Sequence, residues 1–185
     1  PFGRPGTRPP VGRPPGVYGW PAPPGATEVV NRSRWADSVL RDSDGRVLLD
    51  TWYVQHYRQP PALNLIVYPR VGNYRHKLGL EQLRFLLDEV GLDGVYIDQF
   101  SLAYGMRDRF TYDFWDGVTV DIDPETGRVV RRYADLGLVS AKARRDWVEF
   151  VLKRGKVVVA NSMPAVMELQ SLHQQSTKKS IYCPL

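Results

Sequence analysis

The sequence predicts an α/β fold built on parallel strands, and three observations carry that expectation. Short apolar runs end abruptly on a polar residue or a proline, amphipathic stretches with helical spacing lie between them, and a strand–helix–strand succession fits within about 35 residues. Such a succession implies a parallel pair joined by a right-handed crossover.

The first 28 residues stand apart. Residues 1–25 hold 9 of the 15 prolines and 6 of the 16 glycines. They cannot bury enough apolar surface to offset the entropy of ordering, so residues 1–28 are expected to be disordered. Arg4, Arg8 and Arg13 also supply three of the five net positive charges. What remains is near neutral, which argues against a nucleic-acid-binding face. The chain starts on Pro1, so a processed piece or a fragment is expected.

Ordered structure is expected from Val29. "SVLRDSDGRVLLDT" reads as two strand halves around the turn Asp42-Ser43-Asp44-Gly45. "LNLIVYP", residues 63 to 69, reads as a buried strand stopped by Pro69. In "HKLGLEQLRFLLDEVG", Leu80, Leu83, Leu87 and Val90 recur at helical spacing and Gly91 ends the helix. "GVYID" supplies the next strand and finishes on Asp98.

The rhythm then breaks. "GVTVDIDPETGRVVRRY" alternates about Pro124-Glu125-Thr126-Gly127, a second hairpin inserted after Asp98. Ser140 is read as the cap of a helix to Arg154, with Ala143, Trp147, Phe150 and Val151 on one face. "KVVVAN" is a further strand ending at Asn161. A short helix is expected from Pro164 to Ser171, and residues 172–185 read as an irregular tail.

Side chains of a strand alternate, so Val95 and Ile97 should face the helices while Tyr96 and Asp98 face away. The same parity groups Asn64, Ile66 and Tyr68, and also Val157, Val159 and Asn161. Three strands thus end on Tyr68, Asp98 and Asn161, at the end of a parallel sheet where such folds do chemistry.

"GLDGVYIDQFS", the polar insertion, and "YADLGLVSAKARRDWVEFVLKRGKVVVANSMP" resemble the central strands of barrel-forming glycoside hydrolases, of the α-galactosidase-like and related groups. The resemblance spans roughly residues 35 to 165. It implies a partial (β/α)8 TIM barrel over residues 29–171 that acts on O-glycosidic bonds. Asp98 would be the nucleophile or a sugar-binding acid, with Tyr96, Gln99 and Asn161 around the sugar. A non-catalytic carbohydrate-binding module on the same scaffold is the alternative. Glycoside cleavage needs a second carboxyl to protonate the leaving oxygen. Asp113, Asp116, Asp135 and Glu168 are the candidates, and no motif singles one out. Tyr68, Trp115 and Asp116 add polar and aromatic groups that could line a sugar site, as could His56 and Tyr57. A whole barrel takes about 250 residues, against 143 from Val29 to Ser171. The isolated chain is therefore expected to turn over little substrate.

No cofactor is expected. His56, His76 and His173 are too scattered for a zinc pattern, and the single cysteine, Cys183, excludes a multi-cysteine metal site. No run of 18 apolar residues predicts a membrane span. Carbohydrate is the expected partner. Secreted and cytoplasmic locations stay open, as does the oligomeric state.

Overall fold

The computed structural model describes residues 19–50, 64–98, 100, 110–161, 166–175 and 180–183. The architecture has three parts: a small antiparallel unit at the N-terminal end, a parallel sheet backed by helices, and an insertion between two strands of that sheet.

The N-terminal unit begins with β1 (Gly19–Pro21), which pairs antiparallel with β2 (Leu48–Asp50). A short helix, α1 (Ala26–Asn31), lies between them. The expected turn at Asp42–Gly45 is present. Asp42 N–H donates to Arg46 O at 3.0 Å, Gly45 N–H donates to Asp42 O, and the Asp42 carboxylate accepts from the amides of Asp44 and Arg46. Residues ahead of Val29 already join the fold, because Ala22, Val30, Val39, Val47 and Leu49 share an apolar cluster.

Residues 64–68 correct the parallel βαβ expectation. They bridge antiparallel to Val39 and Leu49, with Leu40 N–H donating to Ile66 O at 2.9 Å. The backbone groups of Asn64, Ile66 and Tyr68 bond to the N-terminal hairpin, whereas the strand that ends at Asp98 belongs to a separate sheet among the described residues. Asn73 then starts helix α2 (Tyr74–Arg84): its side chain accepts from His76 N–H and donates to Tyr68 O at 2.9 Å. The last turn widens into a π-helical segment, Phe85–Glu89, and Gly91 leaves it at a φ of 80°.

The parallel sheet comprises β3 (Gly94–Ile97), β8 (Val157–Asn161) and β9 (Ser180–Cys183), in the order β3-β8-β9. Between β3 and β8 lie β4 (Phe110–Thr111), β5 (Val120–Ile122), β6 (Val129–Arg132) and β7 (Ala134–Asp135). They form two antiparallel ribbons, β4 with β7 and β5 with β6. The second is the expected hairpin, closed by Asp123 N–H on Arg128 O at 2.9 Å.

Helix α3 (Leu136–Leu152) starts earlier than Ser140. Asp135 is the cap, accepting from Gly137 N–H at 2.7 Å, and Ser140 lies inside the helix with its hydroxyl donating to Leu136 O. Helix α4 (Met167–Gln175) also runs past Ser171, and β9 follows where a tail was expected.

These elements overturn the barrel. Among the described residues the only parallel sheet has three strands, and the remaining strands form two-stranded antiparallel ribbons. Helices back one face of that sheet: Val158 and Ala160 join Leu83, Leu87, Ala141, Trp147, Val148, Val151 and Leu169 in one core, with Val95 and Ile97 packed against it. No helix among the described residues is long and apolar enough to cross a membrane.

Candidate functional site

The strand register builds the site. Gly94 opposes Val157, and a Cβ added there would come within 2.6 Å of the Val157 carbonyl oxygen, so only glycine permits this approach. From that start Tyr96 opposes Val159 and Ile97 opposes Ala160. Ile97 and Ala160 face the helices, so by alternation Tyr96, Asp98, Val159 and Asn161 face away from them. One residue past the Ile97–Ala160 pair, Asp98 and Asn161 meet: Asn161 Nδ2 donates to Asp98 Oδ1 at 2.6 Å. The Tyr96 hydroxyl lies 3.4 Å from the same oxygen, and its side chain is 61% exposed. Beyond the strand, Phe100 is fully buried and its N–H donates to Asn161 O at 3.1 Å, which pins both strand ends together.

Three predicted site residues therefore converge: Tyr96, Asp98 and Asn161. Asp98 is exposed, so a solute can reach its carboxylate. Gln99 lies outside the described residues, as do His56 and Tyr57.

Tyr68 does not join them. It is buried with Leu40, Leu48 and Leu136, where burial and the nearby Asp113 charge push its hydroxyl up. Trp115 and Asp116 belong to the insertion. Trp115 Nε1 donates to Thr119 O at 3.0 Å, and the Arg132 guanidinium sits 4.7 Å from the ring centre. Asp116 is a structural knot. Its Oδ1 accepts from the amides of Val118 and Thr119, and its Oδ2 accepts from the Thr119 hydroxyl and Asp135 N–H. Burial alone would raise this carboxyl, but those hydrogen bonds together hold it below the usual range.

Asp113 is the acid that sequence reasoning could not single out. Burial pushes its carboxyl up, against the opposing pull of Arg41, whose Nε lies 3.5 Å from Oδ2. Nothing in the local sequence announces this, because neighbours of the carboxyl come from distant residues 41 and 68. Of the other candidates, Asp135 is the cap of α3 and Glu168 is an exposed residue in the first turn of α4.

Compared with known protein families, curated proteins and solved structures, the chain matches none of them.

Proposed function

We propose that the protein is a glycoside hydrolase-like, carbohydrate-active domain in which Asp98 is the nucleophile or the sugar-binding acid. The observation that carries this reading is the 2.6 Å hydrogen bond from Asn161 to Asp98 at the C-terminal ends of adjacent parallel strands. Ligands of open α/β sheets gather at those ends. A carboxylate there accepts hydrogen bonds from sugar hydroxyls, and it stabilises or traps the oxocarbenium charge that develops as a glycosidic bond breaks. The Tyr96 ring offers an apolar face beside it for the flat side of a pyranose. Asn161 orients the carboxylate and can share a hydroxyl with it. Asp113 suits the partner role, since a proton donor needs a carboxyl raised from its ordinary value, the direction in which burial moves it.

Asp98 and Asp113 nevertheless sit in different clusters: Tyr96 and Asn161 around one, Arg41 and Thr111 around the other. This separation favours a second reading, a sugar-binding module without turnover. Hydrolysis of a panel of aryl glycosides by the full chain distinguishes the two. Under the hydrolase reading Asp98→Asn abolishes turnover. Asp113→Asn then slows substrates with poor leaving groups far more than nitrophenyl glycosides, whose leaving group needs little protonation. Sugar binding with no turnover in any variant supports the module, and neither binding nor turnover rejects both.

A further inference from the structure

We propose that Arg75 and Arg144 together hold a small oxyanion, a carboxylate, phosphate or sulfate group, where helices α2 and α3 pack against each other. This does not rest on the sugar reading.

The two helices meet through Gly79 of α2 and Trp147 of α3, whose Nε1 donates to His76 O at 3.1 Å. Arg144 is one turn before Trp147 on the same face of the helix. It lies in an otherwise apolar stripe with Ala141, Val148 and Val151, and it is only 4% exposed. The Arg75 guanidinium stacks on the Trp147 ring at 4.8 Å, and that of Arg144 lies 5.6 Å from the Phe100 ring. Arg75 thus stacks on the ring of Trp147, and Arg144 sits one helical turn before that same residue.

Among the described residues neither has a carboxylate partner. Arg144 Nε donates to the Ser140 hydroxyl at 2.8 Å, a neutral partner, and its terminal nitrogens have no acceptor among the described residues. Arg75 has one terminal nitrogen that is buried and without an acceptor. Asp146, two residues after Arg144, turns instead to His76, with Oδ2 3.2 Å from Nε2, although off the line that a hydrogen bond requires. Burial depresses both guanidinium groups, Arg144 to about 9, and the charge of Arg75 adds to the effect on Arg144.

Folded proteins rarely leave buried donors unpaired, and they tolerate like charges side by side still less. A bound oxyanion resolves both problems. Its oxygens accept from the planar forks of two guanidinium groups, the geometry in which arginine surpasses lysine.

The test is calorimetric titration of the full chain with sodium phosphate, sulfate, acetate and glucuronate, with sodium chloride at matched ionic strength as control. Thermal unfolding is followed in the same salts, since a ligand that binds the folded state raises Tm saturably. At least one oxyanion should bind with chloride inert, and Arg144→Met and Arg75→Met should each weaken that binding at least tenfold. Arg144→Lys should keep only part of it. A response to acetate and glucuronate alone assigns a carboxylate, and a response to phosphate or sulfate alone assigns those groups. If Arg144→Met does not fold, the half-buried Arg75→Met carries the comparison. Equal responses to chloride and every oxyanion, or an unchanged titration in folded Arg75→Met, would overturn the site.

Discussion

Asn161 donates from Nδ2 to Oδ1 of Asp98 across 2.6 Å, although 63 positions of sequence separate them. The contact exists because β3 and β8 run parallel in a register that places both residues one step past the Ile97–Ala160 pair. Both side chains lie on the sheet face away from the helices, so the bond contributes little to the core. Asn161→Ala is therefore expected to cost less than about 1 kcal/mol in urea unfolding. Its effect on sugar affinity should be larger, a loss of tenfold or more by calorimetry. Asn161→Asp should be worse still, since two adjacent carboxylates would repel. Equal losses of stability and affinity would assign Asn161 a purely structural role.

Gly79 reverses an ordinary rule. An exposed mid-helix Gly→Ala change usually stabilises by about 1 kcal/mol. Here the added Cβ would approach the Trp147 indole nitrogen to 2.6 Å. Trp147 is 4% exposed and fixed by its bond to His76 O, so it cannot move aside cheaply. Gly79→Ala is expected to destabilise by about 1–3 kcal/mol, read as a lower urea midpoint with an unchanged slope. A higher midpoint would show that the two helices pack more loosely than described.

Asp116 gives the insertion its acid sensitivity. Its carboxyl is held below the usual range, so it stabilises the fold fully above its unfolded value of about 4. That contribution is lost as pH falls through the lower folded value. Asp116→Ala removes the two oxygens that accept four hydrogen bonds from Val118, Thr119 and Asp135, and is expected to cost about 1–3 kcal/mol at pH 7. The difference between wild type and variant should shrink in denaturation curves taken below pH 4. A constant difference from pH 7 to pH 2 would contradict the assignment.

Asp113 has the opposite sign. Its folded value is raised, so its stabilising contribution is present below about pH 4 and is lost as pH rises through the folded value. Asp113→Asn should leave stability at pH 7 unchanged or slightly higher, despite the lost attraction to Arg41. The same variant should be relatively less favourable at pH 3.5. Paired urea titrations at the two pH values check the crossover, and a clear loss at pH 7 alone would refute it.

Much of this architecture is readable from local pattern. The turn at Asp42–Gly45, the hairpin at Pro124–Gly127 and the parity of Tyr96 and Asp98 each depend on residues close in sequence, where glycine, proline and alternation act directly. What failed depends on distant partners. "LNLIVYP" has the composition of a buried parallel strand, but composition does not reveal that it will bridge antiparallel to Val39 and Leu49. The barrel went with it, because its count of parallel strands rested on that segment. Tyr68 shares parity with a strand end yet packs beneath Leu136, from a helix 68 positions away. Arg144 carried a signal that could have been used: a charge in the apolar stripe Ala141, Val148, Val151 is a misfit that asks for a partner.

The central claim is that the carboxylate of Asp98 meets a sugar, and glycan-array binding by the full chain beside Asp98→Asn tests it most directly. Because Asp98 is exposed, the two proteins should melt within a few degrees of each other. Wild type is predicted to retain at least one glycan class, with the variant at least tenfold weaker on it. A wild-type chain that retains no glycan, or a variant that binds as well as wild type, would contradict the claim.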